Sequence, residues 1–173
     1  MLEAFAFVGV LDEPDVEWLV TNSKWQEIQS GTVLIRQGEP VESLYLIVDG
    51  AFDVTLSVPN DHQVARLYSG ELMGEMSFVD LQPPSATVTA GMNSGILAIA
   101  RADLTRKIEN DVGFAVRFYK GVSLLLSGRL RAVFAQELDL QGDPEGRDEM
   151  GALKIRFEEI QRRFESRRFA KGA

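Results

Sequence analysis

Gly31-Thr32-Val33-Leu34-Ile35-Arg36-Gln37-Gly38-Glu39-Pro40-Val41-Glu42-Ser43-Leu44-Tyr45-Leu46-Ile47-Val48-Asp49-Gly50 decides the fold of this chain. Short runs of Val, Leu, Ile and Tyr are punctuated by Gly38-Glu39-Pro40 and by Asp49-Gly50, the pattern of brief strands separated by tight turns. In Leu44 to Val48 both faces are apolar, which suits a strand buried between two layers. Asp49-Gly50 predicts a tight turn into a further strand from Ala51 to Ser57. Beyond it, Pro59-Asn60-Asp61 breaks the pattern, Gln63 to Tyr68 resumes it, and Ala86 to Ala90 and Gly95 to Ala100 form a last pair joined at Gly91-Met92-Asn93. Turns recurring at roughly ten-residue spacing belong to sandwiches, barrels and jelly rolls.

Helices are expected at both ends of this β region. Asp12-Glu13-Pro14 opens the first, with Asp12 as cap, Pro14 in the first turn, and Val16, Leu19 and Val20 on one face. Trp25 and Ile28 mark the first strand. After Ile99 the period changes: Asp103 to Ile108 forms a short helix, and Asn110 or Asp111 caps a long one to about Gln136. Its residues Val112, Val116, Tyr119, Val122, Leu126, Leu130 and Val133 step by three and four, and Phe114, Phe118, Leu125 and Phe134 widen the stripe. Gly121, Ser123, Ser127 and Gly128 permit close approach of another element. Two occupants suit so apolar a helix: its own barrel, or the same helix of a second copy, giving a homodimer through 111–136.

Turn residues at 138–146 predict a linker, and 147–173 predicts an amphipathic helix with Met150, Leu153, Phe157, Ile160 and Phe164 on one face. That segment holds eight Lys or Arg against five Asp or Glu and is the only basic region. Its helix, over 147–171, suits fold-back, dimer packing, a protein partner or a membrane surface. The expected division is therefore 1–137, with N-terminal helix, β-roll and long helix, then linker 138–146 and helix 147–173.

Composition excludes several function classes. With a net charge of −8 and a pI near 4.7, the field of the molecule repels nucleic-acid phosphates. No cysteine is present, so disulfides, thiolate catalysis and cysteine metal sites are out, consistent with a cytoplasmic protein. The single histidine, His62, sits between Asp61 and Gln63 and reads as a solvated turn residue. Met1 to Val10 lacks the basic start and length of a secretory segment, and no membrane span is expected. No nucleophile with a base and an orienting partner stands out, so no enzyme is expected.

Between the second and third β groups lies Gly70-Glu71-Leu72-Met73-Gly74-Glu75-Met76-Ser77-Phe78, followed by Pro83-Pro84-Ser85-Ala86-Thr87-Val88. Two glycines free the backbone, and successive amides opening one helical turn attract anions. Together with Gly31 to Gly50, this segment resembles the cyclic nucleotide-binding domain family, the module of catabolite activator protein and of kinase regulatory subunits. The resemblance covers Leu11 to Gln136. It implies a mainly β fold, an eight-stranded jelly roll with flanking α-helices, followed here by a long dimerisation-type helix and an extra C-terminal helix.

Carried over by position, the resemblance makes Glu75 the carboxylate that accepts a hydrogen bond from the ribose 2′-hydroxyl. It makes Gly74, Met76 and Ser77 the turn whose amides meet the cyclic phosphate. Ser85 and Ala86 close the cradle, Thr87 adjoins it, and Leu72 and Met73 wall the base. The implied ligand is cyclic AMP or cyclic GMP, with no cofactor and no metal. One position departs: where the family places its phosphate-pairing arginine, this chain has Pro84. The implied function is a non-enzymatic sensory or regulatory domain whose cyclic nucleotide binding is weak, altered or absent. The alternatives are a ligand-independent interaction and dimerisation scaffold, or a transcription regulator like catabolite activator protein. The latter would need a recognition-helix pair, and residues 138–173 are expected to form one helix after a linker.

Overall fold

The computed structural model describes residues 6–57 and 62–137, together with Glu158 and Arg162. The expected linker 138–146 lies outside these residues, as does helix 147–173 except for Glu158 and Arg162, which are both helical. The chain divides into two compact units, Thr21–Asn110 and the segments before and after it.

The first of these units is the β-roll. Its strands are β1 (Ser23–Ile28), β2 (Val33–Ile35), β3 (Ser43–Asp49), β4 (Ala51–Leu56), β5 (His62–Tyr68), β6 (Leu72–Met73), β7 (Thr87–Ala90) and β8 (Ser94–Ala100). They form two antiparallel four-stranded sheets, ordered β1-β8-β3-β6 and β2-β7-β4-β5. Ile47, Met73 and Ile96 of one sheet meet Ile35, Phe52, Leu67, Val88 and Ala90 of the other in a single buried cluster. The mainly β jelly roll with flanking helices is thus the architecture found.

Leu44, Leu46, Ile47 and Val48 are each at most 4 % exposed, as a strand apolar on both faces requires. The turn after it depends on Gly50, whose φ is 100°. A Cβ there would collide with the side chain of Ser94, whose hydroxyl accepts the Ala51 amide (3.3 Å) and donates to the Met92 carbonyl (2.9 Å). Two differences from the sequence expectation stand out. His62 opens β5 opposite Leu56 instead of lying in a turn. The stretch read as an inserted loop contributes β6, two residues long and bonded to β3. So short a strand has no period to betray it.

The roll carries two helices, α3 (Glu75–Asp80) and α4 (Arg101–Asn110). The other unit is helical: α1 (Ala6–Gly9), α2 (Glu13–Asn22, whose last two residues enter the roll unit) and α5 (Val112–Glu137). Asp12 and Asp15 cap α2 reciprocally, each carboxylate accepting the other's amide at 3.0 and 3.1 Å. Asp111 caps α5 by accepting the Phe114 amide at 2.9 Å. Phe7 meets Phe118 edge-on with centroids 5.5 Å apart, and Trp18 meets Phe114 at 5.4 Å. Gly121 lets α1 come close, since a Cβ there would lie 2.9 Å from Phe7 and from Val10.

The buried face of α5 is Phe114, Phe118, Val122 and Leu125. Val112, Val116, Tyr119, Leu130, Val133 and Phe134 are all exposed. Most of the stripe read as primary is therefore the outward face, and most of the residues read as widening it do the packing.

Across α2 and α5, Arg117 binds Asp15 through Nε (2.5 Å) and Nη2 (2.9 Å), and its Nη2 lies 3.0 Å from Asp12. Burial opposes ionisation of Asp15, which is 1 % exposed, but the hydrogen bonds from Arg117 and the Asp12 amide prevail and hold its carboxyl below the ordinary 3.8. The Arg117 guanidinium is in turn pushed above its usual range by the Asp15 hydrogen bond.

Candidate functional site

The site begins where β5 ends. Gly70 donates to the Ile47 carbonyl (2.8 Å), and the Glu71 carboxylate accepts the Tyr68 amide (2.7 Å), closing the turn into β6. Glu71 therefore serves the turn. Leu72 and Met73 pair with Leu46 and Tyr45 and are 0 and 1 % exposed, so these two side chains sit in the packed roll behind the cassette.

The chain then swings through Gly74, with φ 86°, into α3. A Cβ at Gly74 would lie 3.2 Å from the Ser43 carbonyl and 3.3 Å from Val41, so left-handed backbone and close approach both call for glycine here. No side chain caps α3. Its first intrahelical bond runs from the Phe78 amide to the Gly74 carbonyl (3.1 Å), and among the described residues the amides of Met76 and Ser77 have no partner. Such orphan donors, with the positive end of the peptide dipoles, are what an anion meets. Glu75 and Ser77 face inward at 3 and 5 % exposure, whereas Met76, Val79 and Leu81 face solvent.

Pro83 and Ser85 are exposed, and Pro84, Ala86 and Thr87 are half-buried as the chain enters β7. The turn following β2 is stitched to this segment. Gly38 donates to the Pro84 carbonyl (2.9 Å) and Gln37 to the Thr87 hydroxyl (3.1 Å). Ile35 links the two halves, pairing with Val88 in the sheet and lying 3.8 Å from the position of a Gly74 Cβ. Both parts of the cassette thus converge on the end of β2.

Of the four guanidinium groups of the roll, two are committed elsewhere. Arg66 faces Asp53 across the β4–β5 pair at 3.6 Å, and Asp53 also accepts from Gln63 at 3.0 Å. Arg106 pairs with Asp103. Arg36 lies exposed in the turn stitched to Pro84. Arg101, which no sequence pattern singles out, reaches the cassette helix: its Nη2 donates to the Ser77 carbonyl at 2.8 Å, and its guanidinium lies 5.5 Å from the centre of the Phe78 ring. No motif marks an arginine one residue beyond a strand end, and only the fold brings it there. Among the described residues no group of three or more His, Cys, Asp or Glu side chains is placed to hold a metal, and no helix is long and apolar enough to cross a membrane.

The profile of the cyclic nucleotide-binding domain family matches residues 25–111, a span containing every part of this cassette. The cAMP-dependent protein kinase regulatory subunit of Dictyostelium discoideum is 39 % identical over 67 residues, covering 36 % of this chain and 20 % of that protein. A cyclic nucleotide-gated potassium channel of Mesorhizobium japonicum is 33 % identical over 76 residues, covering 44 % of this chain and 20 % of the channel. The chain thus matches about a fifth of the length of either relative. A crystal structure of a cyclic nucleotide-binding domain from Methylobacillus flagellatus superposes with a TM-score of 0.70 at 23 % identity, covering 78 % of this chain and 77 % of that one, and shows the shared fold.

Proposed function

Since this chain belongs to the cyclic nucleotide-binding domain family, we propose that it is a non-enzymatic sensory or regulatory domain whose ligand occupies the cassette between Gly74 and Thr87. The observation that carries this is the uncapped start of α3 at Gly74, where the amides of Met76 and Ser77 have no partner among the described residues, held through Ile35 against the Pro84–Thr87 segment. Those amides suit the phosphate of cyclic AMP or cyclic GMP, the inward carboxylate of Glu75 suits a ribose hydroxyl, and Ser85, Ala86 and Thr87 offer small groups that let a ligand approach. Leu72 and Met73 support the base side from behind.

Pro84 supplies no charge where the family resemblance places an arginine. A charge-assisted hydrogen bond to phosphate is worth about 1.5–3 kcal/mol, so this cradle binds cyclic nucleotides roughly ten- to hundredfold less tightly than one with a guanidinium. Calorimetric titration of the wild type and Pro84→Arg with both nucleotides tests this. The variant is expected to bind at least tenfold tighter. Absence of binding by both proteins overturns the ligand assignment.

The outward apolar face of α5 favours a second role, a homodimer formed helix to helix. Val112, Val116, Tyr119, Leu126, Leu130 and Val133 continue the heptad spacing that two helices need. The segment 147–171 is proposed as a surface for a protein partner, and the molecule as cytoplasmic.

A further inference from the structure

The geometry points to Arg101 as the positioning residue of the cassette helix, a role that rests on the ligand assignment above. At six residues α3 is too short to stand alone, because the first turn of a helix fixes several dihedrals for one hydrogen bond. No side chain caps its amino end. At its carboxyl end the chain leaves through Leu81 in the left-handed region (φ 62°), a position that ordinarily takes glycine, with the Leu81 side chain 74 % exposed. Neither the uncapped start nor the exit at Leu81 fixes the carboxyl end of the helix to the roll.

Arg101 does. Its backbone amide donates to the Glu42 carbonyl (2.9 Å), which fixes it to the start of β3. From that anchor its Nη2 donates to the Ser77 carbonyl (2.8 Å) and makes a longer contact with the Phe78 carbonyl (3.5 Å), while the guanidinium lies over the Phe78 ring. A cation on the last carbonyls of a helix complements its dipole, and the ring contact fixes the helix about its axis. Ser43, next to Glu42, carries the carbonyl against which Gly74 turns. Both ends of α3 are thus referenced to the same end of β3, one by backbone contact and one through Arg101. Moving the guanidinium displaces the amides of Met76 and Ser77 relative to the Pro84–Thr87 segment.

Hydrogen exchange of the ligand-free protein reads this without depending on any ligand. In Arg101→Ala the amides of Phe78 and Val79 are expected to exchange about tenfold faster or more, with Leu46 and Leu97 in the roll unchanged. Arg101→Lys, which keeps a cation but loses the planar fork, should fall between. Unchanged protection of α3, a wild-type α3 with no protection to lose, or faster exchange spread evenly over the roll would each overturn the assignment. Nucleotide titration of the same variants separates the two claims. Loss of affinity on Arg101→Ala with partial recovery in Arg101→Lys supports both, whereas local exchange effects in a protein that binds no nucleotide leave Arg101 holding the helix and remove only the ligand.

Discussion

At Gly50 two demands coincide: a φ of 100° and a Ser94 side chain occupying the space of any Cβ. Gly50→Ala is expected to cost about 2–4 kcal/mol, part from left-handed backbone and part from the collision. Chemical denaturation measures the loss. Gly50→Ala/Ser94→Gly should return only part of the steric cost, because the Ser94 Cα, 2.8 Å from the new Cβ, stays in place and the hydroxyl bonds to Ala51 and Met92 are lost. The Asp49-Gly50 turn was legible in the sequence because a single dipeptide suffices to signal it. Arg101 was not legible, since its meaning comes from carbonyls at Ser77 and Phe78 that are near it only after folding. Glu71 was equally opaque: it lies four residues before Glu75 in the same motif, yet it closes a turn.

The elements differ in how far the chain's periodicity could reveal them. Strands β3, β4 and β8 were visible from their apolar runs and turns, and α5 from its three-and-four spacing. Which face of α5 packs inward was not, because both faces are apolar; the choice is made by Phe7, Val10 and Trp18, distant in sequence. The outward face leads to a measurable consequence. Sedimentation equilibrium is expected to find a dimer, and Leu130→Glu a monomer with its roll intact; a monomeric wild type would remove the helix-to-helix pairing. The link between α2 and α5 makes an acid-sensitive contribution. Because the Asp15 carboxyl is held below 3.8 when folded, its stabilisation is complete above that pH and fades as pH falls through the folded value. Arg117 stays charged throughout. Thermal melts of wild type and Asp15→Asn should therefore differ most near pH 6 and converge toward pH 3.

For the whole molecule the net charge of −8 sets the background against which any anionic ligand arrives. With no guanidinium at position 84, the phosphate gains no ion pair there against that field, so moderate salt, which shortens the Debye length to about 8 Å at physiological strength, should tighten cyclic nucleotide binding. In Pro84→Arg the same salt also screens the new attraction, and the trend should flatten or reverse. Titrations at low and moderate salt distinguish these slopes. The roll's connectivity also bears on how the protein is made. Its first strand pairs with its last, Ser23 opposite Ile99 and Ile28 opposite Ser94, so β1 has no sheet neighbour until β8 exists. On the ribosome the opening strand must wait, its edge unsatisfied, until residue 100 has cleared the exit tunnel. Closure of the sheet is therefore a late event of synthesis, with the slow folding that long-range pairing brings.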